Sequence, residues 1–248
     1  MKFRALIIGN PGEDGADNYC AGVLKDFAFY PQFLASALGG AWEPDEITVL
    51  HRPSTLKASI ALLELASADY SITIFSGHGY TNSEDGAFML ELKDGHEIDA
   101  RELRAYGAPK RTVILDCCRQ VARVVVKEER LFKALAKKAE LDPEQCRSFY
   151  ERRLDECARG LVVQYACAPG EVSNDSSAVG GYYSSSLLLG AREWADANSS
   201  DLSTTAHFFS VVNAHKTADE LVKQLTDGQN PQIDKPRSGP YFPFGVAA

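Results

Sequence analysis

Short runs of aliphatic and β-branched residues alternate along this chain with segments of helical period, and no other feature constrains the fold as much. The runs are "FRALIIG" (3–9), "EITVL" (46–50), "YSITIFSGHG" (70–79), "RTVILDCC" (111–118) and "GLVVQYACA" (160–168). Nearly continuous apolar runs of this length suit strands buried on both faces, as in a parallel sheet. Between them, residues 18–38 read as helical, with Pro31 opening a second helical piece and Gly39-Gly40 ending it. Ser54 caps a helix whose Leu56, Ile60, Leu63 and Leu65 fall near one face. "AFMLELKDGHEI" (87–98) reads as a hairpin turned at Lys93-Asp94-Gly95, and "DARELRAYG" (99–107) as a short capped helix. Strand and helix in alternation imply an α/β domain built on a mainly parallel sheet.

The segment 119–158 is charged and helical in pattern, and Asp142-Pro143 supplies an N-cap followed by a first-turn proline. Further helical stretches at 182–197 and 203–225 precede a closing "YFPFGV" (241–246). The sequence contains no repeat, low-complexity tract or linker, so residues 1–248 are expected to form a single domain, with 119–158 as a helical insertion.

Composition narrows the function classes. No window approaches the ~18 apolar residues of a membrane span, and "MKFRALIIGN" reads as a first strand and turn rather than a signal peptide. Six cysteines without paired C-x-x-C spacing suggest reduced thiols and a cytoplasmic setting, and offer no structural metal site. A formal charge of −8 argues against a nucleic-acid surface and suits a cationic partner. The turn "GNPGEDG" (9–15) follows a strand, but its glycines fall outside the dinucleotide spacing and Glu13 and Asp14 would repel a phosphate.

Ligands of open α/β sheets sit beyond the C-terminal strand ends. Three of those ends carry chemistry: Gly9 onward, Ser76-Gly77-His78-Gly79 and Asp116-Cys117-Cys118. A single histidine can be a satisfied core residue and a single thiol an inert one. Together they suggest more, because a thiol needs a base or positive field to act as thiolate and a histidine within reach supplies both. The backbone amides of Gly79 and Cys118 would then be oriented to hold an oxyanion if the two strands are neighbours.

The stretch "DCCRQ" resembles the caspase signature, Gln-Ala-Cys-Arg-Gly with a histidine about 50 residues upstream; here the separation is 40 (118 − 78). The acid two positions before the nucleophile is similar to the Asp-x-Cys motif of metacaspases, which places the nucleophile at Cys118 and leaves Cys117 in the variable middle position. "SGHG" resembles that family's histidine motif, "GVLKDF" (22–27) its Gly-Cys-x-x-Asp segment with Val23 in place of Cys, and "DGAFMLELKDGHEID" its hairpin after the histidine. "GGYYSSSLLLGA" (180–191) resembles its Gly-Gly-x-Phe-Thr segment, and "QNPQ" (229–232) its late Gln-x-Pro-Gln.

What this resemblance implies is a caspase-like fold, with a six-stranded, mainly parallel sheet flanked by helices, and a cytoplasmic cysteine endopeptidase cutting after Arg, then Lys. His78 and Cys118 would be catalytic, and the Gly79 and Cys118 amides the oxyanion hole. Asp26 and Asp116 would hold the basic side chain, with Ser76 and Val23 completing the wall. The expected partners are protein or peptide substrates and a regulatory protein, not nucleic acid or membrane, with a role in stress, defence or cell-death signalling. In the family, the region matching 119–158 often carries a calcium or autoprocessing site. Here Arg119, Arg123, Lys127, Arg130, Lys133, Lys137 and Lys138 dominate its first half, so no metal or cofactor is expected and the segment is expected to stay uncut. A catalytically silent scaffold of this fold, and a legumain-like or gingipain-like peptidase of other specificity, remain open.

Overall fold

The computed structural model describes residues 1–118, 141–198 and 207–248. In chain order the strands are β1 (Phe3–Asn10), β2 (Ile47–His51), β3 (Tyr70–Thr81), β4 (Phe88–Glu91), β5 (Glu97–Asp99), β6 (Lys110–Cys118), β7 (Gly160–Tyr165), β8 (Asp175–Ser176), β9 (Gly180–Gly181), β10 (His207–Ser210), β11 (Gln232–Asp234) and β12 (Pro243–Ala247). The helices are α1 (Gly22–Ala35), α2 (Thr55–Glu64), α3 (Ala100–Ala105), α4 (Pro143–Glu156), α5 (Tyr182–Asn198) and α6 (Val211–Leu225).

The central sheet runs β2-β1-β3-β6-β7-β11, with all neighbours parallel except the last, where β11 lies antiparallel to β7. The order reverses about β1 and β3, which makes their C-terminal ends the place where a crevice opens. The hairpin of β4 and β5 extends the C-terminal end of β3 in antiparallel fashion. Its turn closes through Leu92 N to the His96 carbonyl and His96 N to the Lys93 carbonyl, around the glycine-bearing tip foreseen from sequence.

Strand alternation sorts the core into two layers. On one face Phe3, Ala5, Ile7, Ile72, Ile74 and Ile114 pack with α1, α4, α5 and α6. On the other, Leu6, Ile8, Phe75, Val113, Leu115 and Cys117 pack with α2 and α3. Each fully buried large aliphatic side chain contributes about 1.5–3 kcal/mol over its exposed state, so a one-residue register slip would exchange the layers at large cost.

Two helices differ from the sequence expectation. Instead of restarting at Pro31, α1 runs through it as one helix. The buried row Val23, Asp26, Tyr30, Phe33 and Leu34 holds both sides of the proline against the sheet, and that packing outweighs the missing backbone donor. In α2 the apolar face is reversed: Leu56, Ile60 and Leu63 are exposed, while Ala58 and Leu62, followed by Leu65, enter the core. Ser54 does cap α2, accepting from Lys57 N at 3.3 Å, and Asp142 caps α4, accepting from Glu144 N and Gln145 N. Of the expected 119–158 insertion only residues 141–158, with α4, are described; the basic residues 119–138 lie outside the described residues. No helix among those described is long and apolar enough to cross a membrane.

Candidate active site

β3 and β6 are direct neighbours, and their register sets Ser76 opposite Asp116, Gly77 opposite Cys117 and His78 opposite Cys118. The two chemistry-bearing strand ends therefore form one ledge beside the end of β1. Gly77 makes this approach workable. Its φ of +147° lies where a side chain is disfavoured, and a Cβ there would stand 2.4 Å from the Asn10 carbonyl oxygen.

His78 is buried, and the loop between β1 and α1 engages both of its ring nitrogens. Nε2 lies 3.3 Å from the Pro11 carbonyl oxygen. A carbonyl only accepts, so in the neutral ring Nε2 carries the hydrogen and Nδ1 keeps its lone pair as a base. Nδ1 in turn lies 4.0 Å from the Cys20 sulfur. Sequence reading missed Pro11 and Cys20, since neither a backbone carbonyl nor an isolated thiol leaves a motif.

The adjacent cysteines of β6 part company by alternation. Cys117 belongs to the layer of Leu115, Leu90 and Phe75, is 3 % exposed, and has its sulfur 3.4 Å from where a Gly79 Cβ would be. A thiol so placed behaves as a small apolar side chain. Cys118 comes at the end of the strand, at the register position of His78. Gly79 follows His78 and pairs with Leu90 of β4, so the amides of Gly79 and Cys118 belong to adjoining strand ends.

Beneath this ledge, on the α1 side, lie two buried carboxylates, Asp26 at 2 % exposure and Asp116 at 4 %. Asp26 accepts from Ser76 Oγ at 2.5 Å and from Gly181 N at 3.2 and 3.3 Å. Asp116 accepts from Ser173 Oγ at 2.7 Å and Ser184 N at 2.8 Å. The glycine pair of β9 is wedged against both: a Cβ on Gly180 would lie 2.3 Å from Asp26 Oδ1, and one on Gly181 2.2 Å from Asp116 Oδ2. Val23 is buried one turn before Asp26 on the same helical face.

Burial pushes the Asp26 carboxyl well up, the negative charge of Asp116 adds to it, and the Ser76 and Gly181 donors only partly offset this. Burial also raises Asp116, against stronger opposition from Ser184 and Ser173. Asp175, whose Oδ2 accepts from Gly22 N at the start of α1 at 2.8 Å, raises both. Two carboxylates this close cannot both ionise cheaply without a cation. Sequence reading named both acids but missed Ser173, Ser184 and Gly181, which reach them from 57, 68 and 155 residues away.

Among the described residues, no group of three or more His, Cys, Asp or Glu could hold a metal ion. The glycine-rich turn behind β1 closes on itself through Gly12 N to Asn10 Oδ1, and its Glu13 pairs with Arg52.

Compared with known proteins, the sequence matches the family model described as the caspase domain over residues 2–238. Curated proteins give no match by sequence. Among solved structures, caspase-1 from Spodoptera frugiperda superposes with a TM-score of 0.57 at 10 % identity, covering 94 % of this chain and 87 % of that one. At that identity the likeness speaks for the fold: a mostly parallel sheet with helices on both faces.

Proposed function

The chain belongs to the caspase-domain family of cysteine peptidases, and on that premise we propose that it is an endopeptidase cutting peptide bonds after Arg, and less readily after Lys. The observation that carries this reading is the pair of buried carboxylates, Asp26 and Asp116, directly beneath the strand ends that bear His78 and Cys118. A pocket with two acids is costly to keep empty and gains most from a cation. A guanidinium meets two carboxylates through several directed donors, whereas an ammonium is a smaller, more strongly hydrated charge. A substrate with Asp before the scissile bond would be repelled.

In this mechanism Cys118 attacks the scissile carbonyl as thiolate, having given its proton to His78 Nδ1. The Pro11 carbonyl holds the ring by Nε2, so the imidazolium that forms is already hydrogen-bonded. The Gly79 and Cys118 amides receive the oxyanion. Collapse of the tetrahedral adduct breaks the C–N bond, and His78 returns the proton to the leaving amine. Water then hydrolyses the thioester. Ser76 and Val23 line the wall beside Asp26, Ser76 through its hydrogen bond to that acid. No step needs a metal or cofactor, so a calcium chelator should leave activity unchanged. Protein or peptide chains with an exposed basic residue are the substrates, in regulated proteolysis of the stress, defence or cell-death kind.

Cleavage profiling on a peptide library, with Cys118→Ala as control, tests the proposal. Cuts that follow Arg and Lys and vanish in the control support it. A preference for Asp, Asn or apolar residues, or cleavage surviving in the control, overturns it.

A further inference from the structure

Gln229 begins the "QNPQ" stretch, which the mechanism above leaves without a role, and it is 1 % exposed. Its amide has fixed partners at both ends. Oε1 accepts from the backbone N–H of Asn174 at 3.0 Å and from Asn174 Nδ2 at 3.0 Å. Nε2 donates to the Ala166 carbonyl at 3.1 Å and to Ser173 Oγ at 3.3 Å. A backbone donor on one side and a backbone acceptor on the other allow only one orientation of the amide, so the donor faces Ser173.

That donation has a consequence one residue further on. A serine hydroxyl has one hydrogen, and Asp116 Oδ1 at 2.7 Å is its acceptor. With the Gln229 N–H occupying a lone pair of Ser173 Oγ, the hydroxyl rotor is fixed with its hydrogen on Asp116. Ser184 N supplies a further donor to the other oxygen. Asp116 thus sits at the end of a directed chain that favours its anion, while Asp26 beside it has its Ser76 partner and one longer amide contact. We propose that Gln229 is a positioning residue for substrate selection: acting through Ser173, it keeps Asp116 the charged member of the pocket and so sets the affinity for a basic side chain. The inference rests on the pocket assignment made above and adds the element that decides where its charge resides.

Two variants and one control separate this from a purely structural role. Gln229→Met keeps the volume and removes the donor. Ser173→Ala removes the hydroxyl and leaves the Gln229–Asn174 clamp in place. In Ser173→Ala, kcat/KM for an Arg peptide should fall about tenfold to a hundredfold through KM, as expected for losing a hydrogen bond to a charged group. Gln229→Met, which acts through the Ser173 hydroxyl, should lower it in the same way by less. Alkylation of Cys118 by iodoacetamide should keep its rate. Losing a donor raises the carboxyl's protonation range, so the acid-side rise in KM should move to higher pH in both variants. Ser173→Thr, which restores a hydroxyl, should recover most of the loss. If Ser173→Ala leaves KM and its pH profile unchanged while wild type does select Arg, the chain from Gln229 is structural and the inference falls. If Gln229→Met lowers KM-independent turnover, alkylation and Tm together, it falls as well. Absence of Arg preference in wild type defeats the underlying pocket assignment instead, and is read before either variant is made.

Discussion

The two faces of the central sheet meet the same strand ends with opposite chemistry. On the α1 face, β3 and β6 present Ser76 and Asp116 to Asp26, with Ser173, Ser184 and Gly181 as donors and water largely excluded. One residue along on the other face, Phe75, Leu115 and Cys117 pack with Leu90 and Leu103 in an apolar layer. The sheet period of two residues is the whole cause of the difference. The strand that must bury a carboxylate in one direction gains its hold on the fold from the apolar layer in the other. A costly polar pocket is tolerable where the opposite face of the same strands is dry and well packed.

The adjacent cysteines break this comparison most directly. Cys118→Ala should lower turnover by about 10⁴-fold or more, the scale of losing a nucleophile. Cys117→Ala should keep substantial activity and lose about 1 kcal/mol of stability, the cost of a small cavity. Parallel measurements of kcat and Tm decide it; equal and complete loss of activity in both folded variants would put the nucleophile assignment in error.

Next in size is the pocket itself. Asp26→Ala should cost Arg substrates about 2–5 kcal/mol in kcat/KM, by analogy with truncating one partner of a buried charge pair. Alkylation of the thiol by a small electrophile should be nearly unaffected, because that reagent never enters the pocket. Matched Arg, Lys and Asp peptides read this out in wild type and variant. An unchanged Arg rate would mean that Asp26 serves only to tie α1 to Ser76 and Gly181.

The same acid should oppose stability. Folding raises the Asp26 carboxyl well above its ordinary range, chiefly through burial. Between the two values the folded chain binds more protons than the unfolded one, so stability falls as pH climbs through that window. Asp26→Asn cannot ionise and escapes the penalty. It should melt higher than wild type at pH 8, by a few degrees, with the advantage shrinking as pH falls and gone below about pH 4, where folded and unfolded carboxyls are both protonated. Thermal melts across that range test the sign, and a variant less stable at pH 8 than wild type would reverse it.

Much of this arrangement was legible in the sequence, for a physical reason. Apolar runs such as "RTVILDCC" carry both the strand and the residue that leaves it, so neighbouring strand ends with His78 and Cys118 could be foreseen as a shared crevice. The supporting partners were not legible, because each belongs to a distant element or to the backbone: the Pro11 carbonyl, the Gly181 amide, Ser173 and Ser184. "GGYYSSS" and the polar loop before it were visible as stretches, but only the fold shows that their serines and glycines face the two acids. Pro31 misled because propensity is local and the burial of Tyr30, Phe33 and Leu34 is not.

The smallest effect is expected where the sequence was ambiguous for another reason. α2 has two apolar stripes, Leu56, Ile60 and Leu63 on one side and Ala58 and Leu62 on the other, and period alone does not say which faces inward. The structure turns the smaller stripe to the sheet: Leu62 is fully buried, while Leu56 is 71 % exposed, Leu63 57 % and Ile60 50 %. The sheet face beneath is already filled by Leu6, Ile8, Leu50 and Phe75, so the helix sits close only with Ala58 at the contact. Leu62→Ala should therefore cost about 2–4 kcal/mol. Leu56→Ser, Ile60→Ser and Leu63→Ser should each stay within about 0.5 kcal/mol and leave Cys118 alkylation unchanged, since exposed substitutions lose little burial. Urea unfolding of the four variants at low protein concentration ranks them. A loss from Leu56→Ser as large as that from Leu62→Ala would show that the outer stripe is covered in solution, and that α2 contributes two packed faces where the fold described here uses one.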